Sequence, residues 1–126
     1  MTALIVFAGA GIGGVARYAL GGWIQALAGT PFPWGTLAIN VSGSFVLALA
    51  YAALESSAAA PEWRIFVGIG LCGGYTTFST FSYEAVRLMQ DGDWGRVGGY
   101  VLASVGLSLA AALLGFRVAA ALIGRS

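Results

Sequence analysis

The sequence predicts an all-α membrane protein of four spanning helices, with the third helix broken. Three observations lead there. Of 126 residues, 59% are hydrophobic and only 9% are charged, whereas a soluble domain carries about 25% charged residues. Mean hydropathy is +0.86. Four apolar segments, at about 3–28, 34–55, 63–89 and 95–123, each supply the roughly 20 residues that a bilayer requires. Short turns separate them, so neighbouring helices run antiparallel. No stretch is left over for a soluble domain, and residues 1–126 read as a single four-helix transmembrane unit.

The first span follows Met1-Thr2-Ala3-Leu4, which carries no positive charge. Its apolar run is too long for the core of a signal peptide, so it reads as a retained span. Gly9-Ala10-Gly11-Ile12-Gly13-Gly14 matches the dinucleotide-binding glycine pattern. That pattern needs a strand–helix setting and an acid about 20 residues further on, and the first acid here is Glu55. Close packing of helices through small residues is the expectation instead, continued by Gly21 and Gly22. Arg17 lies deep in the same span, and an ionisable residue at such depth is a functional candidate by default.

Pro31 and Pro33 mark the first turn. The second span carries Gly35-Thr36-Leu37-Ala38-Ile39-Asn40-Val41-Ser42-Gly43-Ser44. A buried amide is costly unless hydrogen-bonded, so Asn40 either ties two helices together or lines a path as an N–H donor for an anion. Ala58-Ala59-Ala60-Pro61 marks the second turn.

The third span contains Cys72-Gly73-Gly74-Tyr75-Thr76-Thr77-Phe78-Ser79-Thr80-Phe81-Ser82-Tyr83-Glu84. Paired glycines weaken a helix, and hydroxyl side chains capture backbone groups that a helix would use. The helix is expected to break near Gly73–Thr76, and a β-branched residue at Gly73 to crowd that break. Broken backbone at membrane depth survives only inside protein or along a cavity, so the break marks a site. Unwound carbonyls there could hold a small cation. Phe78 and Phe81 share a helix face, either as packing or lipid-facing aromatics or as ring edges, which are electropositive and can face an anion. Glu84 and Arg17 are either functional or a structural pair, with each other or with backbone.

Asp91-Gly92-Asp93 marks the third turn. In the fourth span Tyr100, Ser104 and Ser108 recur every fourth residue, a column of hydroxyls on one face. Such a column is either packing glue or a polar track.

Charge narrows the function further. Net charge is +1, from six arginines and five acids, with no lysine and no histidine. Nucleic acid needs a basic patch, and none exists. Histidine, the usual proton relay near neutral pH, is missing. The single cysteine, Cys72, cannot form an intrachain disulfide and reads as a small buried residue. No cluster of carboxylates or imidazoles suits a transition metal, and no nucleophile–base set suggests an enzyme. With four spans, Arg64, Arg117 and Arg125 fall on one side and Arg17, Arg87 and Arg96 on the other. That balance gives the positive-inside rule no preference, so the chain is expected to insert in both orientations.

These motifs resemble the fluoride channel family (Fluc, also called CrcB). The resemblance rests on Gly13-Gly14-Val15-Ala16-Arg17, on Gly35-Thr36-Leu37-Ala38-Ile39-Asn40, and above all on Gly73-Gly74-Tyr75-Thr76-Thr77-Phe78-Ser79-Thr80-Phe81-Ser82 followed by Glu84. It implies a passive fluoride-selective channel that exports cytoplasmic fluoride, is multi-pass in the bacterial inner membrane, and forms a dual-topology antiparallel homodimer. That dimer would have two pores and a structural Na⁺ at its centre, held by backbone carbonyls of Gly73 and Thr76. Asn40, Thr77, Phe78, Thr80, Phe81, Glu84, Tyr100, Ser104 and Ser108 would line the fluoride path, and Arg17 would match the family's first-span arginine. Two rivals remain. A small multidrug transporter would need a carboxylate in the first span, which carries Arg17 instead. A non-transporting membrane assembly would use the hydroxyl column for packing alone.

Overall fold

The computed structural model describes residues 1–124, all helix and turn; Arg125, counted above in the charge balance, lies outside them. Its elements are α1 (Thr2–Ala28), α2 (Trp34–Glu55), α3 (Pro61–Arg64), a π-helical segment (Ile65–Cys72), α4 (Gly73–Tyr75), α5 (Phe78–Gln90) and α6 (Trp94–Ile123). Together α3, the π-helical segment, α4 and α5 make the third of four long helical passes of the chain. Among the described residues, α1, α2 and α6 are each long and apolar enough to cross a membrane as one continuous helix. The third pass is interrupted.

The turns follow local chemistry. Gly29 ends α1 with φ at 61°, a left-handed cap that a side chain resists. Pro61 opens α3 at a position where its missing N–H is harmless. Asp93 caps α6, accepting from the Arg96 N–H at 3.3 Å while its other oxygen takes the Arg96 guanidinium at 2.8 Å.

Packing is governed by glycine. α2 packs chiefly against α6, and α1 against the π-helical segment. Gly9 and Gly13 are buried where α1 meets that segment. A Cβ on Gly9 would sit 2.7 Å from the Phe66 carbonyl oxygen, and one on Gly13 would collide with that of Leu71. Gly115 does the same for α6, with the Phe45 carbonyl oxygen 2.6 Å from its absent Cβ. Where lipid removes the hydrophobic drive between helices, such close approach supplies the van der Waals energy that joins them. Gly11 and Gly14 face open space, so only part of the glycine motif serves the seam. A compact cluster of Leu37, Ala85, Leu88, Val97 and Tyr100 then fixes α5 between α2 and α6.

The third pass differs from expectation in two respects. Its first half carries eight π-helical residues, a wide and rare geometry that often accompanies functional sites. Within it, Gly68 packs directly on the Tyr51 ring, which a Cβ there would overlap. Moreover, Gly73–Tyr75 remain helical, and the extended residues are Thr76 (φ −88°, ψ 160°) and Thr77 (φ −152°, ψ 120°). The crowded glycine of the pair is Gly74, whose Cβ would lie 2.8 Å from the Ala10 Cα. Gly73 would meet only the Gly68 oxygen, at 3.9 Å, so the expected crowding there is absent within one copy. Gly74 permits close approach to α1, while the side chains around Thr77 make the break.

Candidate functional site

The break is held by Asn40. Its side-chain Nδ2 donates to the Thr77 carbonyl at 2.9 Å, and its Oδ1 accepts from the Thr77 N–H at 2.8 Å. The amide thus replaces both helical partners of one residue. Thr77 also caps α5, its hydroxyl oxygen accepting from the Thr80 N–H at 3.1 Å. These bonds redirect the donors that a continuous helix would send to earlier carbonyls. The Thr76 N–H keeps its ordinary helical bond to the Cys72 carbonyl at 3.0 Å, whereas the Thr77 N–H goes to Asn40 and so leaves the Gly73 carbonyl without its helical donor. The Thr80 N–H, taken by Thr77, does not reach the Thr76 carbonyl. Gly73 and Thr76 therefore present carbonyl oxygens freed from these helical bonds.

Arg17, expected to be functional or to pair with Glu84 or with backbone, takes the backbone partner and also serves the break. Its Nε donates to the Gly74 carbonyl at 3.1 Å. Glu84 instead accepts from the Tyr100 hydroxyl at 2.9 Å. The two ionisable residues are each tied, but not to one another.

Two clefts of about 280 Å³ each flank Thr77. The first is lined by Asn40, Gly43, Ser44 and Leu47 of α2, Thr76 and Thr77, Phe78 and Phe81 of α5, and Ser104, Val105 and Ser108 of α6. It contains amide, hydroxyl and aromatic groups and no charged side chain. The rings of Phe78 and Phe81 stand 5.6 Å apart, and Phe81 lies 5.0 Å from Tyr100. Ser104 is 8% exposed, and its hydroxyl has no hydrogen-bond partner among the described residues. A buried hydroxyl normally finds a partner, and this one has none among the described residues. Ser44 differs, donating to the Asn40 carbonyl at 2.8 Å.

The second cleft is lined by Arg17, Tyr18, Gly21, Gly22 and Gln25 of α1, by Gly35, Thr36 and Ile39 of α2, and by Thr77, Thr80 and Glu84. Thr80 and Glu84 accordingly stand apart from Asn40, Phe78, Phe81, Ser104 and Ser108, and only Thr77 borders both spaces. Tyr100, fully buried, lines neither; of the hydroxyl column, Ser104 and Ser108 reach the first cleft while Tyr100 turns to Glu84.

The sequence reading gave no part to Ser44, although it lies one helical turn beyond Asn40. It also passed over Gln25, whose Nε2 donates to the Thr30 and Phe32 carbonyls at 2.9 Å each and whose Oε1 accepts from the Gly35 N–H at 2.9 Å. A signal existed. Gly9, Gly13, Arg17, Gly21 and Gln25 recur every fourth residue, on one face of α1. The glycines bring that face close to its neighbours, and the two polar side chains satisfy backbone groups there.

Comparison with known proteins agrees with this architecture. Residues 4–116 match the family model described as CrcB-like protein, Camphor Resistance (CrcB). A Thermus thermophilus protein named fluoride-specific ion channel FluC is 41% identical over 121 residues, covering 96% of this chain and 95% of its own. Proteins of the same name from Rhizobium meliloti and Geobacter sulfurreducens are 44% and 47% identical over 121 residues. They cover 95% and 94% of this chain, and 97% and 98% of their own. These relatives are named as ion channels and not as enzymes. With a family match over most of its length and relatives above 40% identity, this chain, a multi-pass membrane protein, belongs to the CrcB-like family.

Proposed function

We propose that the protein is a passive, fluoride-selective channel that lets cytoplasmic fluoride leave the cell, and that the uncharged cleft beside the break is its ion path. The carrying observation is the Ser104 hydroxyl, buried beside Asn40, Ser108 and the Phe78 and Phe81 rings with no partner among the described residues. Fluoride is small and strongly hydrated, so a path must replace its water with hydrogen-bond donors. Conduction also requires several weak sites in place of one tight one. Neutral hydroxyl and amide donors meet that condition, and aromatic ring edges add weak positive potential. The names of the relatives support fluoride as the ion.

In this reading Asn40, Thr77, Phe78, Phe81, Ser104 and Ser108 line one part of the path. Thr80 and Glu84 belong to its continuation on the other side of Thr77, with Tyr100 behind the wall donating to Glu84. Two copies pair antiparallel in the bacterial inner membrane, one in each orientation, and the dimer has two paths. A structural Na⁺ joins the two breaks. The donor set fits, because the Gly73 and Thr76 carbonyls are freed from helical bonds and hard cations prefer oxygen ligands. Bound there, the ion would supply fixed positive charge and a cross-link between copies.

A second reading has one observation in its favour. The Asn40 amide is committed at both ends to Thr77, as a packing device would be. Fluoride efflux from liposomes containing the purified protein, with chloride followed in parallel, separates the two. Fast fluoride efflux without chloride efflux supports the channel. Neither ion leaving, from folded and dimeric protein, favours an assembly in which the cleft is packing.

A further inference from the structure

We propose that Arg17 is a positioning residue for the ion path, holding the third pass in its broken form through the Gly74 carbonyl. The sequence prepares this. Gly13 and Gly9 precede Arg17 on the same face of α1, one and two turns back respectively. Their missing side chains let α1 lie directly on the π-helical backbone, with Leu71 and Ala10 in the places that Cβ atoms would take on Gly13 and Gly74. Only at that separation does the Arg17 side chain meet Gly74, its Nε 3.1 Å from the carbonyl oxygen.

The chemistry of that bond suits its place. The chain from Pro61 to Tyr75 ends as a helix at membrane depth. Its last carbonyls carry the negative end of the helix dipole, and lipid offers them no donor. In an unbroken helix the Gly74 carbonyl would accept from the Phe78 N–H. A guanidinium supplies both a donor and a positive charge at the terminus, which stabilises the ended helix relative to the continuous one. Asn40 acts on the other side of the same break, on Thr77. Gly74 and Thr77 are thus pinned from opposite sides, by α1 and by α2. The residues between and beyond them, Thr76, Thr77 and Phe78, form one wall of the uncharged cleft. Arg17 itself lines the second cleft and acts on the first only through Gly74. Its effect on conduction rests on the channel reading above, whereas its effect on the break does not.

The test measures both, in protein reconstituted in nanodiscs and in liposomes. Hydrogen exchange followed by mass spectrometry is compared for wild type, Arg17→Gln and Arg17→Lys over peptides covering residues 72–82. Arg17→Gln is expected to speed exchange there by about tenfold while peptides from α6 keep wild-type protection, and to reduce fluoride efflux by a similar factor. Arg17→Lys, which retains the charge and a donor, is expected to recover most of both. Unchanged exchange at the break in Arg17→Gln overturns the proposal, whatever the flux. Faster exchange at the break, with no fluoride efflux even from wild type, supports the positioning role and overturns the channel reading. If Arg17→Gln does not fold, wild-type protein labelled with ¹⁵N-arginine and ¹³C-carbonyl glycine decides. A through-space signal between Arg17 Nε and the Gly74 carbonyl carbon in solid-state NMR supports the bond, and its absence refutes it.

Discussion

Replacing Ser104 by alanine separates an ion-path hydroxyl from a packing one. The Ser104 hydroxyl is buried, with no partner among the described residues. A hydroxyl taken from water without a hydrogen bond costs about 1–3 kcal/mol. Removing it therefore relieves a penalty and breaks no bond, so Ser104→Ala should leave stability unchanged or raise it by about 1 kcal/mol. Conduction should respond in the opposite sense. One hydrogen bond to a charged partner contributes about 1.5–3 kcal/mol, and 1.4 kcal/mol is about tenfold in rate. Fluoride efflux from liposomes should accordingly fall by about tenfold or more. The paired measurements are the initial fluoride efflux rate and the thermal midpoint of the purified protein in detergent. Efflux at the wild-type rate would refute the reasoning, as would a loss of more than about 1 kcal/mol of stability, since the hydroxyl would then be bonded inside the protein.

Three further outcomes are expected. Asn40→Ala strips the donor and the acceptor from Thr77, so stability should fall by about 2–4 kcal/mol and efflux with it; an unchanged thermal midpoint would show that the break stands without Asn40. Phe81→Ile keeps an apolar side chain of similar reach but loses the ring edge, and efflux should drop by about tenfold for an interaction of about 1–1.5 kcal/mol, with stability reduced far less than efflux; wild-type efflux would remove the ring from the path. Gly74→Ala forces a methyl into the α1 backbone and should lower stability by about 3 kcal/mol or more, the scale of overpacking against an atom that cannot move. Gly73→Ala meets only ordinary contact and should leave the stability of a single copy's fold within about 1 kcal/mol of wild type. Equal thermal midpoints for these two alanine variants would contradict the packing seen here.

The two ends of the third pass also show how polar groups survive at membrane depth. Asn40 and Arg17 each satisfy backbone that the break exposes, and Gln25 does the same for the turn after α1. Lipid cannot perform this task. An amide or guanidinium inside a span is thus compatible with a wholly structural role, and its presence alone does not mark an ion path. Ser104 differs because no group among the described residues bonds its hydroxyl.

The sequence by itself determined the membrane setting and the helical class, because about 20 apolar residues in a row have few other stable forms. It also showed that the third pass is interrupted, since Gly73, Gly74 and the run of hydroxyls oppose a continuous helix. Phe78 and Phe81 could be assigned to one face from their spacing alone. What the sequence could not decide was which backbone groups the polar side chains would serve. The break lies at Thr76 and Thr77, beyond the glycines, because Asn40, 37 residues earlier in the chain, bonds Thr77 across the α2 interface. Arg17 reaches Gly74 from 57 residues away, and Glu84 takes Tyr100 in place of Arg17. Gly68 lies against the Tyr51 ring, 17 residues earlier in the chain, where a Cβ would not fit. Periodicity reports which residues share a face of one helix, whereas partners on different helices are set by how closely those helices pack, and that became visible only in the tertiary structure.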